Sequence, residues 1–165
     1  MSPLDESEVS LDANVATDFE LTGDVPLLQQ LFPDRILISD FVQTELSKAS
    51  ITFNVDQVIE LTTEDHLNLF EELRSRNPRL GLGEIGAIAV AQIRHAVMAS
   101  NDGQARRAAT EIGLAITGSL GILEHAVTSG GIEAAKAVSI AENMIVAGAW
   151  FSEELIDLFR ARVLA

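Results

Sequence analysis

Residues 80–123 constrain the fold more than any other stretch, because helical and strand patterns alternate there at short intervals. Gly83 and Glu84 open an apolar helix over 84–93. Residues 95–99 read as a short buried strand, and Ser100, Asn101, Asp102 and Gly103 as a turn. A helix over 104–111 is closed by Gly113, and 114–116 form another strand. Thr117, Gly118 and Ser119 then turn into a further helix. Such alternation predicts an α/β fold with parallel strands joined by right-handed crossovers. Ligands of such sheets bind beyond the carboxyl ends of the strands. Asp102 stands at one such end and Glu84 at the start of the preceding helix, so two carboxylates on one rim point to a cation.

The same stretch contains a G-x-G-x-x-G pattern, formed by Gly81, Gly83 and Gly86. A dinucleotide fingerprint requires a strand directly before the first glycine. Here 71–79 are a charged helix end and a loop containing Pro78, so these glycines are read as shaping a tight helix start.

The flanking chain extends the pattern. A strand over 8–12 ends in Asp12, and a short helix follows over 15–21. Asp24 precedes Val25 and Pro26 and is placed to cap a helix over 27–32. Residues 35–39 form a second strand, after which Ser39 or Asp40 caps a helix carrying Glu45 on its second turn. Residues 51–62 are ambiguous, with a loop over 54–57 and an edge strand over 58–61. Thr63 caps a helix over 64–76 with Leu67, Phe70 and Leu73 along one face. After Gly130 and Gly131 two helices are expected, over 132–147 and 152–163, with Trp150 and Phe151 burying the last one.

At 165 residues the chain is read as one domain, residues 1–165, with 131–165 a helical extension packed on it. A chain of this size buries roughly 70% of its unfolded surface and requires no disulfide or metal staple. It has no cysteine, which removes a disulfide framework and a thiolate zinc site. The acidic start lacks the apolar run of a secretory signal. The longest apolar stretch, 84–98, is interrupted by Gln92, Arg94 and His95, so no membrane span and a cytoplasmic location are expected. The histidines, His66, His95 and His125, are scattered, and His95 is read as opening a strand.

Four acids share a positional logic. Asp12 follows the first strand, Glu45 lies early in the helix after the second, Glu84 opens a helix, and Asp102 follows the next strand. In a parallel sheet all four project from one rim. Hard divalent cations such as Mg²⁺ and Mn²⁺ take such oxygen ligands, and a cation offsets the mutual repulsion of the carboxylates. Metals held this way activate water and stabilise the leaving oxygen in phosphodiester cleavage. Each acid alone also fits a local role as strand end, solvated helix residue, helix N-terminus or turn.

The segment Val9 to Val15, with Asp12 and Asn14, resembles the opening of a PIN domain. Thr44, Glu45 and Leu46 resemble its second acidic motif, and Gly83, Glu84 and the small apolar residues after them its third. Asn101, Asp102, Ala105 and Arg106 resemble its fourth, where two acids commonly stand, so Asn101 is a departure. Thr117, Gly118, Ser119 and Gly121, with the closing helices, resemble a PIN subgroup of predicted nucleic-acid-binding proteins. The resemblance implies a three-layer α/β/α Rossmann-like fold with a parallel sheet of about five strands. It implies a Mg²⁺- or Mn²⁺-dependent ribonuclease, often the toxin of a toxin–antitoxin pair. Asp12, Glu45, Glu84 and Asp102 would then be the metal and catalytic acids, with Asn14, Asn101 and Ser119 lining the pocket. RNA as substrate, an antitoxin protein as partner and a homo-oligomer are the corresponding expectations. A non-catalytic PIN-like module that binds nucleic acid or protein remains the alternative.

The net charge of −14, from 11 basic and 25 acidic residues, sets a condition on either reading. Removing the four site acids leaves −10, so the surface as a whole repels phosphate. RNA binding therefore calls for a local basic track, for which Arg106 and Arg107, just beyond Asp102, are the sequence candidates.

Overall fold

The computed structural model describes residues 2–55 and 57–165. Its centre is a five-stranded, all-parallel sheet in the order β3-β2-β1-β4-β5. The strands are β1 (Val9–Leu11), β2 (Ile36–Ser39), β3 (Gln57–Ile59), β4 (Val97–Ala99) and β5 (Ile116–Thr117). Every residue of β1, β2 and β4 is buried. That pattern belongs to parallel strands covered on both faces rather than to half-solvated ones.

The covering helices are α1 (Ala13–Leu21), α2 (Val25–Leu31), α3 (Asp40–Lys48), α4 (Glu64–Arg76), α5 (Leu82–Arg94), α6 (Gly103–Glu111), α7 (Ser119–Thr128), α8 (Ala134–Val146) and α9 (Glu153–Val163). They flank the sheet as an α/β/α sandwich. The central helix α5 packs on β1, β2 and β4 through Ile85, Ile88, Val90 and a run of alanines, all fully buried. It also meets α3 closely. A Cβ at Gly86 would lie 2.6 Å from Ser39 Oγ and 3.1 Å from Phe41 Cβ, so only glycine permits that approach. The closing helices α8 and α9 pack on α7, and α8 also reaches α1. Among the described residues no helix is long and apolar enough to cross a membrane.

From β1 the chain builds outward through β2 to β3, then crosses back to β4 and β5 on the other side. The strand order therefore reverses between β1 and β4, where open parallel sheets form a binding crevice. Register sets what meets there. Leu11 pairs with Ala99, and Ala99 with Thr117. Asp12 N–H donates to Ala99 O at 2.8 Å, and Ser100 N–H to Thr117 O at 3.0 Å. Asp12, Ser100 and Gly118 consequently stand in one row above the sheet.

Several local expectations are corrected by the way helices end. His95 does not open a strand. It closes α5 in the left-handed region at φ 53°, with Ala96 N–H returning to Ala91 O at 2.9 Å, and β4 starts at Val97. The same device delays β5: Gly113 turns at φ 83° and Leu114 N–H bonds Ala109 O, so the strand begins at Ile116 rather than 114. Gln57, expected in a loop, opens β3, while Asp56 of the same loop lies outside the described residues. Asp24 precedes α2 but its side chain caps nothing, and Leu67 is half exposed while Phe70 and Leu73 are buried. Trp150 does not bury the last helix. The turn at Gly148, φ 116°, directs Phe151 onto the core and leaves Trp150 82% exposed.

Candidate active site

The row above the sheet is built first by caps. Asp12 is the N-cap of α1, and its Oδ1 accepts from Ala13 N–H at 2.8 Å. Its Oδ2 accepts from Ser100 Oγ at 2.7 Å. Asp102 is the N-cap of α6, its Oδ1 accepting from Ala105 N–H at 2.8 Å, while its own N–H donates to Ser100 Oγ at 3.1 Å. The Ser100 hydroxyl therefore joins the two acids that follow β1 and β4. Capping and site-building are one interaction here, because a strand that runs straight into a helix leaves its cap residue on the rim.

Glu84 lies in the first turn of α5, where its Oε2 accepts from Gly81 N–H at 3.0 Å. Glu45, on α3, reaches over the same helix start. A Cβ at Gly83 would overlap the Glu45 carboxylate, so the glycine keeps open the space this side chain occupies. Asp12 thus stands within electrostatic reach of Glu84 and Glu45, and Glu84 within reach of Asp102 and Glu45. Burial pushes the Asp12 carboxyl up to about 7, against the pull of its bonds to Ser100 and Ala13, and the charges of Glu84 and Glu45 push it further. Burial likewise raises Glu84, against the Gly81 N–H, with Asp102 and Glu45 adding repulsion. Among the described residues no cationic side chain pairs with Asp12, which is only 2% exposed.

The model of the PIN domain family matches residues 9–163. The chain belongs to this family. Comparison with curated proteins and with solved structures gives no match. A PIN domain is a nuclease-like fold.

The polar residues beside the acids of this PIN domain form a closed knot. Asn14 Oδ1 accepts from Asn101 N–H at 3.1 Å, tying α1 to the end of β4. Asn14 Nδ2 also reaches Asp12 Oδ2, at 3.5 Å. Asn101 Oδ1 accepts from Ser119 N–H at 2.9 Å. Its Nδ2 donates to Asp18 Oδ2 at 2.8 Å and to Ser119 Oγ at 3.0 Å. Ser119 Oγ in turn donates to Asp18 Oδ2 at 2.8 Å. Asn101, Ser119 and Asn14 therefore shape the pocket through bonds to one another. Sequence reasoning missed Asp18 and Ser100. The signal for Asp18 was its spacing of four from Asn14, which puts both on one face of α1.

Arg106 is not free to guide a substrate, contrary to its expected role. Its Nη1 donates to Ser100 O at 2.9 Å and Thr117 O at 2.8 Å, clasping the ends of β4 and β5. Burial lowers its pKa. A Cβ at Gly118 would lie 2.7 Å from Asn101 Oδ1 and 3.1 Å from Arg106 Nη1, so that glycine is part of the clasp. The histidines are also elsewhere: His125 stacks on Phe32 with ring centroids 5.7 Å apart, and His95 is exposed at its helix end.

A cleft of about 490 Å³ opens over the rim, lined by Asn14, Asp18, Glu45, Asn101 and Asp102 on one side and by Met144 and Trp150 on the other. Asp12 and Glu84 do not line it. Among the described residues no three carboxylate or imidazole groups stand close enough together to grip one ion as placed. The donor set nonetheless fits a hard divalent cation: it is all oxygen, it lacks a counter-charge, and Gly83 leaves room for Glu45. Mg²⁺ in particular keeps several waters and requires only one or two carboxylates.

Proposed function

We propose that this PIN domain is a Mg²⁺- or Mn²⁺-dependent ribonuclease that hydrolyses RNA phosphodiester bonds at the rim formed by Asp12, Glu45, Glu84 and Asp102. One observation carries the reading: a buried carboxylate, Asp12, stands at the strand-order reversal with acids around it and, among the described residues, no cation beside it. Such an arrangement is costly unless something positive is bound or a proton is held. Asp12 and Asp102 would hold the cation, and Glu45 and Glu84 would complete its surroundings or orient water. The bound metal would supply charge stabilisation at the phosphoryl oxygens and an acidified water. Ser100 orients the Asp12 carboxylate and holds the Asp102 backbone N–H, and the capping N–H groups of Ala13 and Ala105 hold one oxygen of each acid. Asp102 Oδ2 and the remaining lone pair of Asp12 Oδ2 would face the ligand. The membership also makes this chain a candidate toxin of a toxin–antitoxin pair, for which co-expression with a small neighbouring protein that restores growth is the test.

A second reading, a PIN module that binds without cleaving, is favoured by one specific observation. The acids as placed do not form a three-ligand cage. Cleavage of structured and unstructured RNAs with Mn²⁺, Mg²⁺ or EDTA, beside Asp12→Asn, separates the two. The ribonuclease reading expects metal-dependent products that Asp12→Asn abolishes. Absence of cleavage by the wild-type protein across metals and RNA classes would overturn it in favour of the binding module.

A further inference from the structure

Only 11 side chains of this molecule are lysine or arginine, against 25 acids, and most are already engaged. Arg74, Arg76, Arg94, Arg160 and Arg162 pair with carboxylates. Arg35 and Arg106 donate to backbone carbonyls. Among the described residues that leaves Arg79, Arg107, Lys48 and Lys136 with no ion pair or hydrogen bond.

Two of those four share one cleft. Arg79, from the loop between α4 and α5, and Arg107, from α6, line a cavity of about 240 Å³ with Arg76, Gln104 and Glu111. Three arginines against one glutamate make this a net positive hollow on a molecule of charge −14. Arg76 is also held to Glu72 at 2.9 Å, but that pair is exposed on both sides and contributes little. The cleft adjoins the acid rim by construction. Gln104 lies in the first turn of α6, two residues after its cap Asp102. Leu80, on the opposite wall, immediately precedes Gly81, whose N–H is held by Glu84.

We propose that this arginine cleft is a phosphate-binding site for the RNA backbone next to the cleaved bond, a proposal that rests on the ribonuclease reading above. Guanidinium groups recognise phosphate oxygens through paired N–H donors, and two unpartnered ones facing a common hollow lose little in doing so. The general field of the protein repels a polyanion, so affinity has to come from a local site. The hollow flanks Asp102 and Glu84, which sets a strand gripped there to run across the rim. Arg107 thus keeps the guiding role expected of it, while Arg79 and Arg76 take the place of the clasped Arg106.

The test measures binding separately from cleavage. Anisotropy of a labelled single-stranded RNA is followed on the Asp12→Asn background, without metal, across a salt series. Arg79→Glu and Arg107→Glu, singly and together, are compared with Lys136→Glu, an exposed cation in the first turn of α8 that makes the same change in net charge. The cleft variants are expected to weaken binding about ten-fold each, and the double variant to reduce the logarithmic salt slope by roughly 1.4, about 0.7 for each lost phosphate contact. Lys136→Glu is expected to weaken it less than about two-fold, as an unscreened remainder of net charge. Equal losses in cleft and control variants would overturn the site. So would cleft-dependent binding of polyglutamate with no binding of RNA, which would make the hollow a protein-docking site. A protein that binds RNA through the cleft yet cleaves none with Mn²⁺ would keep this proposal and refute the ribonuclease. One that cleaves with unchanged KM in the double variant would do the reverse.

Discussion

Two buried carboxylates belong to one short helix, one at its cap and one in its second turn, and their charged surroundings differ. Asp12, at the start of α1, has other carboxylates as its charged neighbours. Asp18, in the second turn, is 8% exposed and receives hydrogen bonds from Asn101 and Ser119 at 2.8 Å each. Burial raises the Asp18 carboxyl as well, but the bonds from Ser119 and Asn101 oppose that rise and no other carboxylate adds to it. Asp12 is held in orientation but left short of positive charge, and its carboxyl rises to about 7. The contrast sets an acid bonded into the fold apart from the one proposed to receive a ligand, six positions away in sequence.

The largest expected effect breaks the structural side. Asp18→Val removes the acceptor for one Asn101 Nδ2 hydrogen and for the Ser119 hydroxyl, and each buried donor left unpaired costs about 1–3 kcal/mol. A loss of about 3 kcal/mol, or roughly 6–12 °C in Tm, is the expected outcome of thermal unfolding without metal. A variant as stable as wild type would mean the knot contributes nothing.

On the other side, Asp12→Asn is expected to raise stability in metal-free buffer. The folded carboxyl titrates at about 7 against 3.8 for the free group, so the folded state holds the proton more tightly. The resulting stabilisation is fully present below about pH 3.8 and is lost as pH rises through about 7. The shift from 3.8 to about 7 corresponds to ~4 kcal/mol at ~1.4 kcal/mol per tenfold difference in proton affinity, and weaker bonds from Ala13 and Ser100 to an amide offset about half of it. Removing the charge should therefore stabilise the protein by about 2 kcal/mol near pH 8 and by almost nothing near pH 4. Melting curves at the two pH values check the sign.

Asn101→Asp converts the satisfied knot into a second unsatisfied one. It would set a carboxylate against Asp18 where an amide now donates at 2.8 Å. One of the pair must then stay protonated, so a loss of roughly 1–2 kcal/mol should appear above neutral pH and fade in acid. Partial recovery of Tm with Mn²⁺ would mark this position as a place for a second cation.

How these features were written in the sequence varied with their range. The alternation around residues 80–123 gave the parallel sheet, because helix and strand periods are local properties. The rim positions of Asp12, Glu84 and Asp102 were legible for the same reason, since each follows a strand or stands in the first turn of a helix, whereas Glu45 lies on the second turn of α3. The helix ends were not, since His95 and Leu114 continue a helix through backbone bonds that residue type does not announce. Nor were the partners of Asp18 and Arg106, which come from 83 or 101 positions away and from the ends of two strands. Long-range hydrogen bonds turned an expected substrate guide into a clasp, and three pocket residues into a mutually bonded knot.

The smallest expected change concerns Gly83. Gly83→Ala places a methyl group where the Glu45 carboxylate now lies, and that flexible side chain can move aside. Stability should change by less than about 1 kcal/mol, since alanine also favours a helix. The Mn²⁺-induced rise in Tm should shrink, because Glu45 is displaced from the rim.

The central claim is that the acid rim, and not the neighbouring knot, binds a divalent cation. Thermal unfolding near pH 8 over a Mn²⁺ titration tests it in wild type, Asp12→Asn, Asp102→Asn and Asp18→Asn. A ligand of the folded state contributes about 2.7 kcal/mol at a hundred times its Kd. Wild type and Asp18→Asn should both show that saturable rise, and the two rim variants should lose most of it. Equal rises in all four proteins, or none in wild type, would contradict the claim.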